Sequence, residues 1–324
     1  MPNLIKNSRT SLLIGLFIAS SAYTQTSQNF QQVEIKVLPV QGNVYMLVGA
    51  GGNVTAQIGE EGVLIVDTQY AELSHKLHAE IKKLSDRPIQ FVINTHAHKD
   101  HTGGNANFAK FGQSIFGGNV TGIVDGARMG SQAKILAHEN VLLRIAEENP
   151  PILFSGWPTD TFFRDKKELF FNGEGVQILH QPAAHTDGDS IVFFRRSDVI
   201  STGDIFSSNL YPVIDSALGG SIQGIIEALS HIIDLAVPAL MQEGGTMIIP
   251  GHGRLCDEAD VVEYRDMVII TRDRIEDMIK KGMTLEKVIA ARPTLGYDGQ
   301  YGAQNGFWTT ERFVEAVYRD LGGT

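Results

Sequence analysis

A single cysteine, Cys256, occurs among 324 residues. One thiol cannot close an internal disulfide, nor can it build a cysteine-ligated zinc cluster. Cations are also scarce: 27 Lys and Arg stand against 37 Asp and Glu, a formal net charge of -10. Affinity for a phosphate backbone comes mainly from Lys and Arg, so no nucleic-acid partner is expected. The apolar run 12-LLIGLFIA-19 is shorter than the roughly 20 residues a spanning helix needs, so no stable membrane span is expected either. No clear internal repeat or low-complexity tract is present. What remains is a composition of 43% hydrophobic and 20% charged residues, the profile of a globular protein with a core large enough to need no staples.

The N-terminus departs from the rest. Lys6 and Arg9 precede the apolar run, and the small residues 20-SSA-22 follow it. Charge, a short apolar segment and small residues form the pattern of a secretory signal peptide. Residues 1–22 are expected to be removed near Ala22, with the mature chain periplasmic or secreted. A polar leader follows, up to about residue 32.

Beyond it, short β-type runs dominate. Strands are predicted over 33–38, 44–48 and 53–59, the last two flanking the turn 49-GAGG-52. 62-GVLIVD-67 and 89-IQFVIN-94 read as strands buried on both faces. Between them, Leu73, Leu77, Ile81 and Leu84 repeat at helical spacing. Further strands are predicted at 114–118, 176–180, 191–194, 198–204 and 246–253. Helices are predicted over 131–148, 221–236, 257–281, 284–291 and 309–321, the last capped by Thr309 or Thr310. Alternating strands and helices indicate a layered α/β architecture.

Ten histidines are present, and they divide by context. His75, His78, His138, His180 and His231 lie in helical patterns or at a strand end and read as surface or structural residues. His96, His98, His101, His185 and His252 all fall in loops just after apolar strands, where ligands of open α/β sites collect. Asp100 and Asp204 share that context. Neutral imidazole and carboxylate are zinc ligands, and a catalytic zinc keeps one position for water. On an extended segment His96 and His98 point the same way and can grip one metal. Asp100 and His101 come where the chain turns and could face a second. One loop cannot complete two sites, so His185, Asp204 and His252 are the candidates for the remainder.

These residues resemble the metallo-β-lactamase superfamily. Its His-x-His-x-Asp-His signature is matched by 96-HAHKDH-101, its third histidine by His185, its bridging acid by Asp204 and its last histidine by His252 in 250-PGHG-253. The aspartate ending an early strand is matched by Asp67. The resemblance implies a four-layer αββα sandwich over residues 33–256, with 257–324 as a C-terminal helical segment packed on it. It also implies two Zn(2+) ions per chain. His96, His98 and His185 would hold one, Asp100, His101 and His252 the other, with Asp204 bridging. Asp67 would orient the histidine loop from behind.

The expected function is that of an exported dinuclear zinc hydrolase. A metal-bridging hydroxide would attack an ester, lactone or β-lactam-like carbonyl, and Asp100 would orient it and relay a proton. A phosphotriester or thioester hydrolase of the same superfamily is the alternative, and a metal-binding module without catalysis a further one. Metallo-β-lactamases proper usually carry Cys or Ser where this chain has Asp204, which weighs against strong β-lactam hydrolysis. Three residues are candidates for contact with a small-molecule substrate: Trp157 as an apolar wall, Tyr211 as an oxyanion donor and Arg254 as a carboxylate binder. For Trp157 a plug into the core is the alternative, and for Arg254 an ion pair with the helix that follows. The segment 257–324, with Trp308, is expected to cover one edge of the sandwich; lining the cleft or joining subunits are alternatives.

Overall fold

The computed structural model describes residues 29–113, 123–124, 127–128, 132–148 and 152–323. The expected signal peptide and the strand expected at 114–118 lie outside these residues. Two sheets form the centre. The first has seven strands in the order Lys36–Gln41, Val44–Val48, Val54–Gly59, Gly62–Val66, Ile89–Ile93, Lys134–His138 and Asp160–Phe162. Its first four strands pair antiparallel and the rest parallel. The second has five strands: Lys166–Phe171, Glu174–His180, Ser190–Phe194, Val199–Ser201 and Met247–Ile249. They pair antiparallel except the last two, which are parallel.

Side-chain alternation along the strands builds the layers. Leu64 and Val66 point between the sheets, where they meet Phe171, Ile178, Val192 and Phe194. Val63 and Ile65, one step out of phase, point the other way, onto Leu73, Leu77 and Ile81 of the helical segment 71–84. On the far side, Ile191, Ile200 and Ile248 of the second sheet pack against the helices Ile222–Leu235, Glu258–Lys280 and Thr310–Asp320. The result is helix, sheet, sheet, helix. Fold and layers agree with the αββα expectation.

The C-terminal helices share this last core with the second sheet: Tyr264, Met267 and Phe313 belong to one cluster with Ile200 and Ile248. The long helix starts at a capping box between Asp257 and Asp260. Among the described residues no helix is long and apolar enough to cross a membrane.

One expectation needs correction. Residues 131–148 do not form one helix: Lys134–His138 is a strand, and a helix begins only at Glu139. The strand joins the parallel side of the first sheet, where both faces are buried, so Ile135 and Leu136 are both apolar and the alternation that marks a strand is lost. The strands Asp160–Phe162 and Lys166–Phe171 carry no clear apolar alternation and were not expected.

Candidate metal centre

All the candidate ligands meet at one end of the sandwich. His96, His98, His185 and Asp204 form one group and Asp100, His101 and His252 another, with the ligand atoms of each within 4.8 Å of one another. Both sheets contribute. The segment 96–101 leaves the strand Ile89–Ile93 of the first sheet, while His185, Asp204 and His252 follow strands of the second. Two glycines permit the close approach. A Cβ on Gly52 would strike the His101 imidazole, and one on Gly251 would strike Asp204 Oδ1.

Hydrogen-bond partners outside the ligand set orient four of the five imidazoles. Asp67 Oδ2 accepts from His101 Nδ1 at 2.7 Å. The same carboxylate takes the Thr95 amide at 2.8 Å and the Thr95 hydroxyl at 2.7 Å. The Thr95 hydroxyl proton is thereby used, so its oxygen accepts from His96 Nδ1 at 3.0 Å. His185 Nδ1 donates to the Val213 carbonyl at 2.6 Å, and His98 Nε2 donates to Asp215 Oδ2 at 3.0 Å. With those nitrogens protonated, the opposite ones carry lone pairs: His96 Nε2, His98 Nδ1, His101 Nε2 and His185 Nε2.

These lone pairs face one another. His98 Nδ1 lies 2.9 Å from His185 Nε2. His101 Nε2 and His252 Nε2 approach Asp204 Oδ1 to 3.1 and 3.3 Å. His96 Nε2 and Asp204 Oδ1 are buried with no hydrogen-bond partner among the described residues. Nitrogen facing nitrogen and carboxylate at this depth calls for positive charge between them, a proton or a metal ion. Neutral imidazole and carboxylate are the donor set of a zinc-type ion, and the carboxylate–histidine backing typical of such sites is in place. The residues therefore fit a metal pair. Asp204 stands between the groups, with Oδ2 4.0 Å from His96 Nε2 and 3.9 Å from His185 Nε2, and Oδ1 toward His101 and His252.

Charge is divided within the centre: burial pushes His101 down, but Asp204, Asp100 and Asp67 outweigh it and hold the ring well above the ordinary imidazole range, so a metal ion bound at Nε2 would displace a proton. Burial holds His96 well below the ordinary imidazole range and His185 at about 4, so both stay neutral. Burial also pushes His252 down, but the Asp204 and Asp100 carboxylates outweigh it and hold this group at about 9. The His98 hydrogen bond keeps Asp215 ionised, below the usual carboxylate range.

The centre opens into a cleft of about 870 Å³. Tyr70 stands in one wall, its ring packed on Phe30 with centroids 5.3 Å apart. Leu210, Val213, Ile214, Phe307 and Trp308 also line it. The C-terminal segment thus packs on the sandwich and reaches the cleft as well.

The three expected substrate contacts do not meet there. Tyr211 is turned into the core: its ring stacks on Phe313, and its hydroxyl sits 2.9 Å from Asp298 Oδ1 and 3.2 Å from the Thr294 carbonyl. Leu210 before it and Val213 after it line the cleft, so Tyr211 faces away from the side its neighbours line. Arg254 pairs with Asp260 at 2.6 and 2.9 Å on the helix that follows. Trp157 packs with Val141 and Ile145 and donates to the Ile152 carbonyl at 3.1 Å, as a plug. Sequence reasoning missed Asp215, Tyr70 and the cleft role of Phe307. None sits in a motif; only the turn 215-DSALGG-220, rich in polar and small residues, hints that Asp215 occupies a loop.

The histidines read as structural lie elsewhere. His75 and His78 pack on Phe111, His138 stacks on His180 at 3.6 Å, and His231 bonds Gln181.

A layered αββα fold with paired His/Asp groups at one sheet end defines a class, and comparison with known proteins names it. The model of the metallo-beta-lactamase superfamily matches residues 38–252, and the chain belongs to that superfamily. A linear primary-alkylsulfatase from Pseudomonas sp. (strain ATCC 19151) is 23% identical over 259 residues, covering 71% of this chain and 47% of the relative. The stereoselective inverting sec-alkylsulfatase Pisa1 from Pseudomonas sp. shares the fold with a TM-score of 0.65 at 16% identity, over 89% of this chain and 50% of its own. A metallo-beta-lactamase from Pontibacter korlensis matches with a TM-score of 0.55 at 15% identity, over 72% of this chain and 99% of its own. The chain spans about half the length of the curated relatives it matches.

Proposed function

We propose that the protein is a dinuclear zinc hydrolase of ester bonds, with carboxylic esters and lactones first. The observation that carries this reading is the set of imidazole lone pairs fixed by outer partners and aimed at the Asp204 carboxylate. His96, His98 and His185 would hold one ion and Asp100, His101 and His252 the other, with Asp204 between. When bound, such a pair supplies water of lowered pKa and neutralises charge that develops on the attacked group.

The chain's own groups do the rest. Asp67, Asp215 and the Val213 carbonyl lock the imidazoles, so little reorganisation accompanies reaction. Asp100 Oδ2, 3.3 Å from His252 Nε2, lies at the cleft floor. An ionised oxygen there accepts a hydrogen bond from water and holds its proton for the leaving group.

A sulfate ester is the second reading, favoured by the two alkylsulfatase relatives. Export follows from the N-terminal charge and apolar pattern, and fractionation of expressing cells tests it.

Metal analysis and a substrate panel test the main reading. Purified protein should carry two zinc equivalents and hydrolyse a nitrophenyl ester or a lactone faster than a chromogenic lactam, an alkyl sulfate, a thioester or a phosphotriester. Retention of no metal, with no member of the panel turned over, sinks it. Preference for the alkyl sulfate moves the assignment to the second reading.

A further inference from the structure

Residues 304–309 join the short helix Asp298–Tyr301 to the last helix, Thr310–Asp320, and have neither helical nor strand structure. The ends of this loop are tied together. The Thr310 amide donates to the Ala303 carbonyl at 2.9 Å, and the Ala303 amide donates to Thr310 Oγ1 at 3.2 Å. Arg312 donates from Nη1 to the Phe307 carbonyl and so holds the tip from the helix side. Gly306 supplies the turn with φ +105, and nothing lies within 4 Å of where its Cβ would be. The loop is anchored at its base and at Phe307, with open space only around Gly306.

The tip carries Phe307 and Trp308 over the cleft that holds the metal-binding groups. Phe307 is 70% exposed. The Trp308 indole N–H is buried and has no hydrogen-bond partner among the described residues. Trp308 also packs against the core shared by the second sheet and the C-terminal helices, which fixes the ring beside the cleft. Leu210, Val213 and Ile214 add apolar surface to the same cleft. Its volume of about 870 Å³ suits a ligand much larger than an acetyl group. Apolar surface forms much of the lining, so binding energy is available to an apolar body.

We propose that the 304–309 loop determines specificity, selecting substrates with an extended alkyl or aryl body that packs on Phe307 and Trp308 while the scissile bond lies at the metal-binding groups. This rests on the hydrolase reading above.

The zinc-loaded full chain, assayed with nitrophenyl acetate and nitrophenyl hexanoate, provides the test. Each buried methylene is worth up to about fourfold, so kcat/KM should rise at least about tenfold from acetate to hexanoate. In Phe307→Ser and in Trp308→Ala that ratio should fall at least threefold, and Trp308→Phe should recover part of it. The ratio does not depend on the fraction of folded or metal-loaded protein. An identical ratio in wild type and all variants overturns the inference and leaves the hydrolase reading standing.

If neither ester is hydrolysed, binding decides. Trp157 and Trp308 are the two tryptophans, so Trp157→Phe leaves Trp308 as sole reporter. Octanoate should then change its emission at a concentration at least about tenfold below that needed for acetate. Equal concentrations overturn the inference.

Discussion

Replacing Asp215 by alanine removes the acceptor that orients His98, and its effect can be worked from the geometry. The His98 Nε2–Asp215 contact is 3.0 Å long, with the two side chains 29% and 26% exposed. Loss of such an outer partner costs about 10–100-fold in metal affinity. Partial exposure places this one at the lower end, about tenfold, which corresponds to about 1.4 kcal/mol. The effect should fall on the group formed by His96, His98 and His185 and spare the one formed by Asp100, His101 and His252. Titration against a competing chromophoric chelator resolves the two binding steps. Asp215→Asn keeps an oxygen that accepts from His98, so it should stay within about threefold of wild type. Asp215 also caps the turn at Leu218, with 3.1 Å to its amide, so thermal unfolding of metal-free protein separates lost stability from lost affinity. An alanine variant within twofold of wild type at both steps, or weakened only at the second group, would refute the orienting role.

Two further outcomes probe residues outside the centre. Tyr211→Phe strips a hydroxyl held by Asp298 and Thr294 and should destabilise by about 1–2 kcal/mol in urea unfolding. Turnover of a small ester should change less than twofold; a tenfold fall in kcat at full stability would return Tyr211 to an oxyanion role. His138 caps the helix Glu139–Glu147 through Nδ1, which accepts the Asn140 amide at 3.3 Å. Burial, then the stacked His180, holds it at about 4, whereas an unfolded histidine titrates near about 6.5. The unfolded chain therefore takes up the proton first as pH falls. The stability contributed by neutral His138 is intact above about 6.5 and is lost progressively toward about 4. Across that window wild type should lose on the order of 2 kcal/mol more than His138→Asn, which caps without titrating. Parallel denaturation midpoints for the two proteins would rule this out.

Much of this was legible because metal chemistry constrains sequence locally. His96, His98, Asp100 and His101 sit in one loop, and each distant ligand follows an apolar strand ending on a small-residue turn. Asp67 was legible too, as the polar end of a buried strand. The C-terminal helices were read nearly to the residue: Glu258–Lys280 against 257–281, and Thr310–Asp320 against 309–321. Caps and long periodicity mark them. Asp215 was not legible, since its partner lies 117 positions away and no periodicity leads to it. Tyr211 was misread for a related reason. Nearness to Asp204 in sequence suggested nearness in space, but one residue's change of direction separates core from cleft. The strand Lys134–His138 was lost because burial on both faces erases the alternation that distinguishes strand from helix.

The division of ligands between the sheets has a consequence for assembly. Segment 96–101 comes from the first sheet, and His185, Asp204 and His252 come from the second. A chain cut in the connection between Phe162 and Lys166, where the first sheet ends and the second begins, would leave an incomplete ligand set on each fragment. Tight metal uptake would then require both fragments, and the ion would act as a rivet across the sandwich whose presence reports that the halves have joined.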